Sequence, residues 1–142
     1  MFYNMKNLPI KSAGGVVVRE TLKGYFVALL YKNNHWVLPK GKIEKGETER
    51  KAAIREVSEE LKIPVGELKI TAKIGKSKYM HLETKEPKTV TFFLVETKHR
   101  KIFPIKKEGF KKAKWFSSEN AVRKATFPET KEIIAKAMKL LQ

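Results

Sequence analysis

The chain has 142 residues, 42% of them apolar and 10% aromatic, enough for one globular domain with a core and too few for two. Its 31 Lys and Arg against 15 acids give a net charge of +16, a field that attracts polyanions such as nucleotides, RNA or an anionic membrane surface. Cysteine is absent, which excludes disulfides, thiolate metal sites and cysteine nucleophiles, and no apolar run approaches the roughly 18 residues of a membrane span.

The N-terminal MFYNMKNLPIKSAGG has no apolar stretch long enough for a signal peptide, so the expected location is the cytoplasm. "AGGVVVRE" (13–20) and "GYFVALLYK" (24–32) are β-rich runs joined by a turn around Leu22 to Gly24, a predicted hairpin. "WVLP" (36–39) is a third short strand, closed by Pro39. From Thr48 to about Lys62 the period changes: Ala53, Ile54, Val57 and Leu61 recur at three- and four-residue steps, which predicts an amphipathic helix stopped by Pro64. Strands resume at 68–75 and 88–96, the second alternating Val90, Phe92 and Leu94, with a polar loop carrying Tyr79 between them. "AKWF" (113–116) is a last strand. "SSENAVRKA" and "PETKEIIAKAMKLLQ" read as helices, the second with Pro128 in its first turn. Helices far apart in the chain suggest a sheet covered on both faces, in one domain spanning residues 1–142.

The charge is unevenly placed. Every acid is glutamate, and lysine outnumbers arginine 26 to 5, which a lysine-biased genome or adaptation to heat would give as readily as function. Residues 41–63 nevertheless hold six acids and six bases, so an acidic spot sits inside a basic surround. Within it, Glu56, Glu59 and Glu60 fall on one side of the predicted helix, where like charges repel by roughly 0.2–0.5 kcal/mol per pair. Neighbouring carboxylates are hard oxygen ligands suited to Mg2+, with Mn2+ an alternative, and a bound cation would offset the repulsion. Taken by itself the fragment reads as a solvated helix face.

Its surroundings are more specific. "GKIEKGETERKAAIREVSEELKI" places Gly41, Glu47, Arg55, Glu56, Val57, Glu59, Glu60 and Ile63 at the spacing G-x5-E-x7-R-E-U-x-E-E-x-G-U, where U is aliphatic. This resembles the Nudix box of the Nudix hydrolases. The departure is Lys62 in place of the final glycine, which puts the geometry of the helix end in doubt. "SAGGVVV", "WVLPKG" and "AKWFSSENA" are similar to the flanking strands of that family, so the resemblance covers nearly the whole chain. It implies an α/β fold, the Nudix α/β/α sandwich, with a central mixed β-sheet and a catalytic loop-helix-loop. It also implies hydrolysis of a nucleoside diphosphate linked to another group, using divalent cations.

The resemblance assigns roles one residue at a time. Glu56, Glu59 and Glu60 match metal-binding glutamates, and the Gly41 carbonyl matches a backbone ligand. Glu47 and Arg55 match a structural ion pair, with Arg55 also able to orient the neighbouring glutamates. A general base in this family often comes from outside the box; Glu108 is the first candidate and Glu96 the second. His35, His81 and His99 show no ligand spacing and read as surface or satisfied side chains.

Lys40 and Lys42, with Lys45, put cations beside the expected phosphate site, while Tyr79 and Phe93 are candidates to stack on a base. "LPKG" is similar to the branch that cleaves dinucleoside polyphosphates such as diadenosine tetraphosphate, to RNA 5′ pyrophosphohydrolases and to diphosphoinositol polyphosphate phosphatases. The small-molecule dinucleoside polyphosphate is the expected substrate and an RNA 5′ end the alternative. A Nudix domain that binds nucleotide or RNA without cleaving it is the reading from another class. No membrane partner is expected, and nothing in the pattern specifies an oligomeric state.

Overall fold

Strand alternation sorts the apolar residues onto two faces of one sheet. In β1 (Ile10–Thr21) Val16 and Val18 point one way and Ala13 and Val17 the other, all buried; in β6 (Pro87–Glu96) Val90, Phe92 and Leu94 oppose Phe93 and Val95 in the same manner. The computed structural model describes residues 10–80 and 85–142, without the side chains of Ile10, Tyr79 and Met80.

Between these strands in the chain come β2 (Gly24–Lys32), β3 (His35–Val37), β4 (Lys40–Lys42), α1 (Glu49–Leu61) and β5 (Lys69–Met80); after them come β7 (Lys112–Ser117), α2 (Ser118–Lys124) and α3 (Pro128–Leu140). The sheet order is β3-β2-β1-β6-β5, with β4 pairing β1 and β7 pairing β2. β1 and β6 run parallel from Ile10↔Lys88 to Val18↔Glu96, and the other pairs are antiparallel, so the sheet is mixed. The other edge of β1 pairs first with β4, at Ser12 to Gly14, and then with β2, at Val18 to Thr21.

Helix α1 covers one face through Ala52, Ala53, Val57 and Leu61, packed with Ala13, Val17, Leu30, Phe93 and Val95. Helices α2 and α3 cover the other through Ala121, Ile133, Ile134 and Ala137, against Val16, Val27, Leu29 and Leu94. Val57, Leu61 and Ile134 are each fully buried, worth roughly 1.5–3 kcal/mol apiece. The result is the α/β/α arrangement expected from the sequence. No helix among the described residues is long and apolar enough to cross a membrane.

Two expectations about strands need correction. The strand expected at 36–39 ends at Val37, and the chain re-enters the sheet as β4 after Pro39. Proline cannot donate to a ladder, although its carbonyl still accepts from Gly15 N at 3.1 Å. The polar stretch expected as a loop from Lys76 onward instead continues β5 to Met80, with bulges between Ile70 and Ala72 and between Lys73 and Gly75. An edge strand tolerates lysines that would be costly inside a sheet, and they discourage pairing with other molecules.

Helix α1 is held firmly at both ends. The Thr48 hydroxyl accepts from Lys51 N at 3.1 Å. At the other end Lys62 takes up the left-handed conformation, φ 58° and ψ 45°, where the family pattern has glycine. Ser58 Oγ donates to the Ile63 carbonyl at 2.6 Å and Phe103 N to the Leu61 carbonyl at 3.2 Å, so the helix end keeps its shape without glycine. The strain at Lys62 remains. Lys62→Gly is expected to raise stability by about 0.5–1 kcal/mol, read as a higher midpoint in urea denaturation, and an unchanged or lower midpoint would show that Lys62 is unstrained.

Candidate active site

Arg55, on the exposed flank of α1, is the hub of the box. Its Nε and Nη2 donate to the two oxygens of Glu47 at 2.7 and 2.9 Å, a fork that clamps the loop before the helix onto the helix itself. Nη2 also reaches the Lys42 carbonyl at 3.0 Å, and Nη1 reaches Glu56 at 2.7 Å and Glu59 at 3.4 Å. Glu47 further accepts from Glu44 N at 3.0 Å. Hydrogen bonding to Arg55 and Glu44 lowers the Glu47 pKa from 4.5 to about 2, and the same pairing raises that of Arg55. One guanidinium therefore joins β4, the loop and two glutamates of α1.

The glutamates differ in environment. Glu60 is 5% exposed and accepts from Lys40 N at 3.3 Å. Burial, reinforced by the neighbouring Glu56 carboxylate, pushes its pKa up to about 9. Glu56 is turned toward β4, where its carboxylate occupies the space a Cβ on Gly41 would fill, so only glycine admits it at that position. Glu59 is about half exposed, with Arg55 beside it. The three carboxylates share a sector of α1 but are not gathered: among the described residues no three His, Asp or Glu side chains stand close enough to share one metal ion. Glu56 and Glu60 are the close pair. Two carboxyls holding a proton between them are acid–base chemistry that a divalent cation can replace, and in that respect the residues present fit such an ion.

Cations lie on the other face of the same strands. Lys40 and Lys42 alternate with Gly41 on β4, and Lys88 opens β6. Lys88 was not singled out in the sequence. Its pKa is lowered, first by burial and then by Lys40 and Lys42, which places the three ammonium groups in one another's field. The signal for Lys88 was present: it continues backward the alternation Leu94, Phe92, Val90 and so lies on the α2/α3 face.

Other candidates separate. Phe93, expected to stack on a base, is 2% exposed in the core beneath α1, with the Arg50 guanidinium over its ring; that burial leaves its faces packed by protein rather than open to a base. The Tyr79 side chain lies outside the described residues, as does His81. Glu108 is exposed on a one-turn helix (Lys106–Glu108), and its carboxylate makes no hydrogen bond or ion pair among the described residues. Glu96 ends β6 five residues beyond Thr91, which is level with Gly41 through Ala13; that is roughly 16 Å along the strand, too far for a base. His35 corrects the expectation of a surface or satisfied histidine. Its Nδ1 is enclosed without a hydrogen-bond partner among the described residues, and its ring lies 4.7 Å from that of Phe127.

Comparison with known proteins bears on this arrangement. The family model of the NUDIX domain matches residues 9–137. A bis(5′-nucleosyl)-tetraphosphatase (asymmetrical) of Caenorhabditis elegans is 30% identical over 131 residues, covering 89% of this chain and 94% of its own. The crystal structure of a C. elegans Ap4A hydrolase binary complex superposes with a TM-score of 0.82 at 28% identity, covering 93% of this chain and 97% of that one. An RNA pyrophosphohydrolase of Pelagibacter ubique (strain HTCC1062) is 40% identical over 67 residues, 46% of this chain and 42% of its own.

The Glu47–Arg55 clamp carries a pH signature. A carboxyl at 4.5 when unfolded and about 2 when folded stabilises the protein fully above pH 4.5, and that stabilisation is lost as the pH falls toward 2. Glu47→Gln is therefore expected to lower stability at pH 7 and to differ less from the wild type at pH 3. Urea denaturation at the two pH values measures this; a gap that stays constant would remove the ion pair from the account.

Proposed function

The chain belongs to the Nudix family, and we propose that it is a divalent-cation-dependent pyrophosphohydrolase whose substrate is a dinucleoside polyphosphate such as diadenosine tetraphosphate. The observation that carries the reading is the juxtaposition of the buried Glu56–Glu60 pair with Lys40, Lys42 and Lys88. Acid on one side and base on the other suits a ligand that is a polyanion with bound cations. The names of the C. elegans relative and of the similar solved structure support the same substrate class.

In this reading Glu56, Glu59 and Glu60 hold the metal, with the Gly41 backbone beside them. When bound, Mg2+ or Mn2+ neutralises phosphate charge and acidifies a water for attack on phosphorus. The rest is supplied by side chains. Arg55 keeps Glu56 and Glu59 oriented and cannot itself deprotonate. Lys40, Lys42 and Lys88 bind phosphate oxygens. Glu108 is the candidate base, since its loop reaches the C-terminal end of α1 through Phe103 N and the C-terminal end of β2 through Lys111 N, which donates to the Tyr31 carbonyl at 2.8 Å. A nucleotide substrate of this kind would be met in the cytoplasm.

Removal of pyrophosphate from an RNA 5′ end is the second reading, favoured by the +16 charge and by the partial match to an RNA pyrophosphohydrolase. A domain that binds without cleaving would be expected to have lost box glutamates, and Glu56, Glu59 and Glu60 are all present.

Purified protein with Mg2+, offered diadenosine tetraphosphate, triphosphorylated RNA, 8-oxo-dGTP and diphosphoinositol phosphates in parallel, is expected to turn over the first fastest. A clear preference for the RNA would transfer the assignment. Glu59→Gln should lower turnover by orders of magnitude with the fold intact by circular dichroism; near-wild-type turnover would contradict its role. Because a proton must leave the Glu56–Glu60 pair before a cation enters, apparent Mg2+ affinity is expected to climb from pH 6 toward about 9. Calorimetry in buffers of different ionisation enthalpy reads the released proton directly, and Glu60→Gln should abolish the release.

A further inference from the structure

Arg19, near the end of β1, carries a cation that the fold leaves unanswered. Its Nε is enclosed without a hydrogen-bond partner, and its guanidinium forms no ion pair among the described residues. The guanidinium carbon lies over the Trp115 ring, 5.1 Å from the centroid. An enclosed donor on a charged group is costly to leave unsatisfied, and it calls for a reason.

Its surroundings supply one. Arg19 has the parity of Val17 and so faces the α1 side of the sheet, paired across the strands with Phe26. It stands six residues beyond Ala13, the partner of Gly41, which is roughly 20 Å along the strand from the box. A cleft of about 1280 Å³ opens at this end, walled by the β1–β2 hairpin, residues 66–69 and residues 96–100. Arg19, Lys23, Lys98 and Arg100 line it, and none of the four forms an ion pair among the described residues. Its acids are engaged elsewhere. Glu67 meets His99 Nδ1 at 3.1 Å, Glu20 pairs with Tyr25 on the α2/α3 face, and Glu96 stands opposite Lys69. The basic loop is fastened in place: Thr97 N donates to the Val18 carbonyl at 3.0 Å, Thr97 Oγ1 to the Glu67 carbonyl at 2.7 Å, and Trp115 Nε1 to the Arg100 carbonyl at 2.8 Å. One indole therefore supports both arginines, Arg19 over its ring and the Arg100 backbone on its nitrogen.

We propose that this cleft is a second ligand site, separate from the catalytic one, which takes a nucleoside monophosphate with its phosphate on Arg19 and Arg100 and its base against Phe26 and Leu68. Two guanidinium forks match phosphate oxygens in a way that surface ammonium groups do not. Phe26 and Leu68 line the same cleft and give it an apolar wall beside the cations, which suits a flat base. The cleft shares no residue with the segment from Gly41 to Ile63, so the inference stands whether or not the hydrolytic reading does.

Calorimetry with AMP on the full chain tests this, in EDTA so that no divalent cation loads the box. Arg19→Met keeps an apolar stem over Trp115 and removes the guanidinium. Arg100→Ala removes the second fork at an exposed position, its backbone carbonyl still free to accept from Trp115, and carries the test alone should Arg19→Met fold poorly. Each variant is expected to weaken AMP binding about tenfold or more. Lys42→Ala, at the catalytic end, should leave it unchanged. AMP affinity that is unaltered in the arginine variants would overturn the proposal. So would its loss in Lys42→Ala, which would place the nucleotide at the catalytic end, or inorganic phosphate binding as tightly as AMP, which would leave the base without a role.

Discussion

Glu60 is a carboxylate that the fold has taken out of water and set beside another carboxylate. Neither burial nor the neighbouring Glu56 favours its ionised form, and the Lys40 amide is too little compensation to restore it. Such a pair is stable as a shared proton, or as a shared cation. The rest of the site can be read as the means of holding that arrangement in place: Gly41 makes room for Glu56, Val57 and Leu61 pin the helix to the sheet, and Arg55 fastens the preceding loop to the helix.

The two signs of charge are kept apart by the sheet's own geometry. Successive residues of a strand point to opposite faces, so on β4 Gly41 meets the glutamates of α1 while Lys40 and Lys42 belong to the other face, with Lys88. Under the proposed function, a chain of phosphates lying over the edge of β4 would meet these lysines through one face and the carboxylates through the other. Within a chain whose net charge is +16, these three lysines are placed by register.

Much of this was legible in the sequence where the local pattern determines the structure. The three-and-four spacing of Ala53, Ile54, Val57 and Leu61 pointed to the helix, and the fixed intervals from Gly41 to Ile63 to the box around it. What could not be read depends on partners distant in the chain. Strand β4 is three residues long and exists because β1 offers it an edge. Phe93 lies in the apolar run TVTFFLVE, and only the parity of β6 against β1 puts it under α1 rather than on the other face. Lys88 acquires meaning from register between β1 and β6, strands nearly 80 residues apart in the chain. Glu59 shares a helix face with Glu56 and Glu60, yet side-chain direction leaves it outward with Arg55.

In the proposed function the buried pair holds a divalent cation next to a phosphate chain. Crystals grown with Mn2+ and a non-hydrolysable dinucleoside polyphosphate, and measured at the manganese absorption edge, test it most directly. The account expects an anomalous peak ligated by Glu56 and Glu60, with Glu59 drawn in. Ligand bound on the lysine face with no peak between those carboxylates would contradict it.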